Sequence, residues 1–337
     1  MMQFRNIITC VDAHTVGEPF RIVTSGIPPL LGDTILEKRA YFKENFDDLR
    51  RLLMLEPRGH ADMYGGVIVP PVTPDGDLGI LFMHNEGHGT MCGHGCIAVA
   101  TVVFETGMRA CKEGINPLRL DTPAGRITAY AEIREGRVQK VSFDNVPTFI
   151  YREDISLELD GIGEVTGDIV YGGDFYVFVD ASKLGLDIVP EQAKELAKRA
   201  MELKYKALEK YSVVHPEEPR LNGIYGTLLT TRPKVEGNRV VTRNVCVFAN
   251  GEIDRSPCGT GTSARLTQLY IKGILKKGMT LEHHSIIDTV FEAVVKEDTN
   301  VADRRAIVAT VSGRASIMGF NQFVLDDADP LPRGFHL

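Results

Sequence analysis

Apolar and polar positions along the chain change period several times, and each change marks an element. Between residues 5 and 31 short apolar runs alternate with turn residues, as in Arg21-Ile22-Val23-Thr24-Ser25-Gly26-Ile27-Pro28-Pro29, which predicts short strands and loops. Past Thr34 the period becomes helical. Thr34 and Glu37 form a capping-box pair, and Phe42, Phe46, Leu49 and Leu53 recur on one face with charges between them, so this helix should cover a sheet. Val67-Ile68-Val69 and Leu78-Gly79-Ile80-Leu81-Phe82-Met83 read as two strands, and more are expected over 117–149 and 164–180. A second amphipathic helix is expected over about 190–211, with Leu196, Ala200, Leu203, Ala207 and Tyr211 on its apolar face. Strands then return at 223–230, 239–249 and 285–324.

Two segments depart from this alternation by being largely apolar all round, which predicts buried helices. Cys92-Gly93-His94-Gly95-Cys96-Ile97-Ala98-Val99-Ala100 runs on to Gly107, and Cys258-Gly259-Thr260-Gly261-Thr262-Ser263-Ala264 runs on to Gly273. Each opens with Cys-Gly-X-Gly and closes on a C-terminal glycine fifteen residues later. The copies lie 166 residues apart, close to half of the 337-residue chain. Two pseudo-symmetric halves are expected, residues 1–145 with 325–337 around Cys92, and residues 146–324 around Cys258. Tyr64-Gly65-Gly66 against Tyr171-Gly172-Gly173 is a weaker echo of the same duplication.

Composition narrows the function. The length supports two domain-sized cores without disulfide or metal staples. A formal net charge of −7 offers no basic surplus for nucleic acid or an anionic bilayer, so neither is an expected partner. No apolar run has the form of a signal segment or the length of a membrane span, and the expected location is the cytoplasm. The six cysteines are too few and too irregular for a disulfide framework.

A cysteine at the mouth of a helix has a definite chemistry. Free N–H groups and the positive end of the dipole favour a thiolate there and also bind a carboxylate, while adjacent glycines let a ligand approach the backbone. Two such helices facing one another could hold a carboxylate between two thiols. One thiolate would remove the proton from the neighbouring carbon, and the opposed thiol would supply one to the other face, with no cofactor. The plainer alternative makes Cys92 and Cys258 small buried residues at helix starts. A metal site is the main rival, because His84, His88, Cys92, His94 and Cys96 crowd together, but their spacing matches no zinc signature and no metal is expected. His84, His88 and Cys96 are expected to support the loop and helix start, and Cys10, Cys111 and Cys246 to be packing residues. Gly259-Thr260-Gly261-Thr262-Ser263 lacks the lysine and spacing of a phosphate-binding loop, so no nucleotide is expected. A non-catalytic amino-acid binder would have no use for two opposed thiols.

Met91-Cys92-Gly93-His94-Gly95 and Asp254-Arg255-Ser256-Pro257-Cys258-Gly259-Thr260-Gly261-Thr262 resemble the two active-site motifs of the proline racemase family. That family includes proline racemases, 4-hydroxyproline 2-epimerases and trans-3-hydroxy-L-proline dehydratases. The resemblance runs from Asp12-Ala13-His14-Thr15-Val16-Gly17-Glu18-Pro19 through Glu56-Pro57-Arg58-Gly59-His60-Ala61-Asp62-Met63 to Asp329-Pro330-Leu331-Pro332-Arg333-Gly334-Phe335. It implies an α/β (α+β) fold of the diaminopimelate-epimerase type, in which each half curls a sheet around a central helix. Cys92 and Cys258 would then be the acid/base pair. The backbone at Gly93-His94 and Gly259-Thr260 would hold a substrate carboxylate, and Asp254 the ring ammonium. Paired cysteines are the pattern of racemases and epimerases, since typical trans-3-hydroxyproline dehydratases carry threonine at the second position. Phe248 is likewise of the racemase type. The segments around Tyr64, His84-Asn85-Glu86-Gly87, Tyr171-Gly172-Gly173, Lys183-Leu184-Gly185-Leu186-Asp187 and Tyr225 resemble the dehydratase branch, and the phenols of Tyr64 and Tyr225 suit a substrate hydroxyl. The implied partner is proline or a hydroxyproline, the implied reaction narrowly the dehydration, and the assembly left open by the resemblance a homodimer.

Overall fold

A computed structural model describes residues 6–326 and 328–336. The chain divides into two compact units, residues 1–141 with 314–337, and residues 142–313. Strand Ala315–Leu325 decides the second boundary. It pairs antiparallel with strand Asn6–Thr15, placing Phe323 opposite Ile8 and Phe320 opposite Val11, so it belongs to the first unit and not to the half expected to end at 324.

In the first unit Asn6–Thr15 also pairs antiparallel with Glu18–Ser25, which runs parallel to Tyr64–Val69. The connection between that parallel pair is helix α1 (Ile35–Met54). Its capping box is formed: Thr34 Oγ1 accepts from the Glu37 N–H, and Glu37 Oε2 accepts from the Thr34 N–H. The helix buries Phe42, Leu49 and Leu53, and it kinks at Phe46, whose φ of −137° and ψ of 22° are not helical. Tyr64–Val69 pairs antiparallel with Leu78–His84, which runs parallel to Gly114–Thr122. That second parallel pair is joined through helix α2 (Gly93–Glu105), buried from Gly93 to Phe104. Such burial on all sides is why its sequence lacks a polar face.

The second unit repeats the plan and closes it. Strands 148–159, 163–171 and 175–180 form an antiparallel series, and 175–180 then runs parallel to 226–230. The intervening helix α3 (Ala193–Lys210) buries Leu196, Ala200, Leu203 and Ala207. Strand 226–230 is antiparallel to 239–248, which is parallel to 280–284. Between those two lies helix α4 (Gly259–Ile271), buried from Gly259 to Leu269. Strands 290–301 and 304–313 follow in antiparallel order, and 304–313 returns to pair with 148–159, so the sheet becomes a ring.

The repeated order corrects one reading of the sequence. Tyr171-Gly172-Gly173 belongs to a hairpin end, whereas Tyr64-Gly65 opens the strand reached through α1. Its counterpart is Tyr225-Gly226, which enters the strand reached through α3. Both glycines are demanded by a neighbour: a Cβ on Gly65 would lie 2.6 Å from the Arg21 carbonyl oxygen, and one on Gly226 2.5 Å from that of Val247. Cys10 and Cys246 are buried as expected, but Cys111 is exposed, because it lies in the irregular stretch between α2 and strand 114–122. Among the described residues no helix is long and apolar enough to cross a membrane.

Candidate active site

Cys92 caps α2. Its backbone is extended, with φ −137° and ψ 104°, and its thiol accepts the N–H of Gly95 at 3.2 Å. The N–H groups of Gly93 and His94, the two preceding it in the first turn, find no acceptor among the described residues, as expected of helix starts. Thr15 Oγ1 donates to the His94 carbonyl oxygen at 2.8 Å and anchors this turn to the adjoining strand. The His94 ring nitrogens lie 3.4 and 3.6 Å from the Cys92 sulfur. Burial pushes this imidazole down to about 3, against the opposing pull of its hydrogen bond to the Pro19 carbonyl, so the ring beside the thiol is neutral.

Cys258 caps α4 in a different backbone state. Its thiol accepts the Gly261 N–H at 3.3 Å, but its φ is +62° with ψ 112°, a conformation that costs a non-glycine residue roughly 1–3 kcal/mol. Polar contacts hold it there. Ser256 Oγ accepts the Cys258 N–H at 3.1 Å, and the Pro257 carbonyl accepts from Asn244 Nδ2 at 2.9 Å and Thr262 Oγ1 at 3.1 Å. The buried His283 ring bridges those two side chains, 2.9 Å from Thr262 Oγ1 and 3.0 Å from Asn244 Nδ2. Asp254 accepts the Ser256 N–H at 2.8 Å. Burial raises its carboxyl to about 6, an increase that the Ser256 hydrogen bonds only partly offset.

The remaining expected residues fall into two aromatic clusters, one in each unit. Tyr64 packs edge-on to His94 at 5.1 Å, and Phe20 stacks on Tyr64 at 6.0 Å. In the second unit Tyr225 stacks on Phe248 at 5.4 Å with an interplanar angle of 9°, and stands edge-on to Tyr176. Neither Phe20 nor Tyr176 is marked by any motif. Tyr176 nonetheless stands with its phenol 3.9 Å from the Cys258 sulfur and 2.7 Å from Thr260 Oγ1. Burial and then the nearby Cys258, Cys246 and Asp174 push that phenol well above its usual range, so it remains a neutral hydrogen-bonding group. The histidine-rich segment does not converge: His88 reaches Asp47, the His84 carbonyl accepts from Arg50, and no group of three metal-binding side chains occurs among the described residues.

The spacing Cys-Gly-X-Gly has a steric cause. A Cβ on Gly95 would lie 2.5 Å from the Phe20 ring and 2.9 Å from the Cys92 sulfur, and one on Gly261 would lie 2.5 Å from Leu228 and 3.0 Å from the Cys258 sulfur. Gly95→Ala and Gly261→Ala are therefore expected to destabilise the fold by about 1–3 kcal/mol through overpacking and to displace the adjacent thiol. Thermal unfolding and the rate of thiol alkylation check this; wild-type values in both would contradict it.

The buried neutral histidines also set a pH dependence. His94 and His283 are both held below their ordinary value by burial. Below about pH 6.5 the unfolded chain binds protons that the native state refuses, so stability falls as pH drops, by roughly 1.4 kcal/mol per pH unit for each such proton. Asp254 acts in the opposite sense between its unfolded and native values, since the native state keeps its proton longer. With two histidines against one carboxyl, the melting temperature is expected to decline from pH 6.5 to 5, and His94→Gln to flatten that decline.

Residues 10–336 match the family model described as proline racemase. A trans-3-hydroxy-L-proline dehydratase of Burkholderia ambifaria is 45% identical over 99% of both chains, and a proline racemase of Clostridioides difficile is 42% identical over the full length of both. A crystal structure of a hydroxyproline epimerase from Agrobacterium vitis, with bound trans-4-hydroxy-L-proline, matches with a TM-score of 0.93 at 32% identity, covering 100% of this chain and 97% of that one. The fold, mixed α and β with a sheet wound around a helix, is of the diaminopimelate-epimerase type. By the family model and by these full-length relatives, the chain belongs to the proline racemase family.

Proposed function

We propose that this protein is a cofactor-independent enzyme that uses Cys92 and Cys258 as an acid/base pair at C2 of a proline-type substrate, with the dehydration of trans-3-hydroxy-L-proline as its reaction. The observation that carries the proposal is the paired helix mouth: each helix is capped by a cysteine whose thiol accepts an N–H, next to two N–H groups with no acceptor among the described residues. Gly93-His94 and Gly259-Thr260 would hold the carboxylate through those groups, and Asp254 the ring ammonium. The N–H dipoles stabilise the charge that grows on the carboxylate oxygens as C2 loses its proton.

In the dehydration one thiolate takes the C2 proton while the other thiol protonates the departing 3-hydroxyl, releasing water and leaving a C2–C3 double bond. Tautomerisation of that enamine gives the cyclic imine. The phenols of Tyr64, Tyr176 and Tyr225 supply hydrogen bonds for a hydroxyl that plain proline lacks. Several relatives named trans-3-hydroxy-L-proline dehydratase, at 44–46% identity, support this reading. Proline racemisation or 4-hydroxyproline epimerisation is the second reading, favoured by the presence of a thiol at both helix mouths. All six cysteines stand as thiols rather than disulfides, which supports a reducing, cytoplasmic setting.

Incubation in D₂O with L-proline, trans-4-hydroxy-L-proline and trans-3-hydroxy-L-proline separately decides between them. A cyclic imine from the 3-hydroxy compound alone is expected. Deuterium at C2 with loss of optical rotation from L-proline, or with conversion of trans-4-hydroxy-L-proline to its C2 epimer, would instead establish the racemase or epimerase. Inactivation by iodoacetate, prevented by the planar mimic pyrrole-2-carboxylate, tests the thiols in both cases.

A further inference from the structure

The face of α4 that follows its capping cysteine carries Arg265 and Gln268, and these, with Lys272 at the helix's C-cap, line a cavity of about 220 Å³ within the second unit. Lys183 and Arg232 stand at its exposed rim. Arg265 lies two helical turns beyond Cys258, or roughly 10 Å along the axis. None of the residues singled out for the cysteine chemistry lines this cavity.

The charges around it are unevenly satisfied. Asp168 accepts from Gln268 Nε2 and Lys272 Nζ, each at 2.5 Å, and from the Asp154 N–H at 3.0 Å. Asp180 accepts from the Ser182 N–H at 2.9 Å and from Arg232 Nε at 3.2 Å, while Lys183 donates to Thr166. Arg265 is the exception. Its guanidinium donates only to neutral acceptors, Gln268 Oε1 at 2.5 Å and the Thr231 carbonyl at 3.0 Å, and its buried Nε has no acceptor among the described residues. A guanidinium has five N–H groups, so most of this one's capacity is unused.

Burial lowers Arg265 only to about 10, with Asp180 and Asp168 pulling the other way, so it is a cation at neutral pH. A buried cation without a bonded counterion is costly, and an apolar side chain of similar length would be cheaper. Four cationic and three anionic side chains line the cavity, leaving one positive charge uncompensated. We propose that this cavity is a binding site for a small oxyanion, a carboxylate or phosphate group seated on the Arg265 guanidinium and drawn in by Lys183 and Arg232 at the rim. The planar fork of arginine pairs with two oxygens of either group.

Titration of the whole protein with sodium acetate and, separately, inorganic phosphate tests this, with chloride added to hold ionic strength constant and the melting temperature as the readout. Pyrrole-2-carboxylate is titrated separately into Arg265→Met, where a shift of the melting temperature reports the cysteine site alone, so failure of that assignment is read separately. A rise with at least one of the two anions is expected in the wild type. Response to acetate alone identifies a carboxylate ligand, and to phosphate alone a phosphorylated one. Arg265→Met should abolish the rise while folding as stably as the anion-free wild type. The rim variant Lys183→Ala with Arg232→Ala alters only exposed side chains and should weaken apparent affinity at least fivefold, so it keeps the test decisive should Arg265→Met fail to fold. No rise beyond the chloride control with either anion, or a rise unchanged in the rim variant, would overturn the proposal.

Discussion

Replacing Cys92 with alanine is expected to lower turnover by about 10²–10⁴-fold, and Cys258→Ala to do the same, because each removes one member of the proposed proton-transfer pair. The loss should fall on kcat more than on KM. The N–H groups of Gly93, His94, Gly259 and Thr260, proposed to bind the carboxylate, belong to the backbone and survive either substitution. The double variant should lose little more than either single one, since one missing partner already breaks the cycle. The two single variants should differ in one respect. Whichever retains the C2 base will still exchange the C2 proton with D₂O, although it forms no product. Unchanged turnover in Cys92→Ala alongside normal ligand binding would sink the thiol mechanism.

Asp254→Asn is expected to raise KM by about 10²-fold, the order of loss when one partner of a buried charge-assisted pair is neutralised. The pH profile gives a sharper reading. Burial raises the Asp254 carboxyl to about 6, so in the free enzyme the carboxylate proposed to hold the ring ammonium disappears as pH falls through that value. The quantity kcat/KM should therefore drop about tenfold per pH unit below 6 in the wild type, and this limb should be absent from the asparagine variant. Stability should move the other way. A carboxyl whose native value is raised contributes stability below its unfolded value and loses it as pH rises through about 6. Above pH 6 the asparagine variant, which has no buried charge to form, should melt higher than wild type. A variant weaker in binding and no more stable would mean that Asp254 only positions the Cys258 loop.

Much of the candidate site's local geometry was legible in the sequence because its constraints are local. The Cys-Gly-X-Gly repeat reports a thiol accepting an N–H three residues on and a glycine pressed against a buried side chain, both features of one helical turn. The uniform apolarity of residues 96–104 records burial on all sides, and the Thr34–Glu37 pair records a cap. Tyr176 was not legible. Its place beside Cys258 depends on the parallel register that puts Tyr176 opposite Gly226, a long-range fact carried by no motif. The positive φ of Cys258 was equally hidden, since it is imposed by Asn244, Thr262 and His283 from three different elements. The Tyr-Gly-Gly echo misled for a related reason: similar letters at a hairpin end and at a strand start solve different steric problems.

The pairing of Ala315–Leu325 with Asn6–Thr15 bears on the order in which the chain is built. The second unit is one uninterrupted stretch, 142–313, whose ring can close once its own last strand exists. The first unit is split around it, and its opening strand lacks one of its two neighbours until residue 325 has been synthesised. On the ribosome the later-encoded unit can therefore mature before the earlier one, and Asn6–Thr15 must wait through about 300 residues of translation with one hydrogen-bonding edge bare.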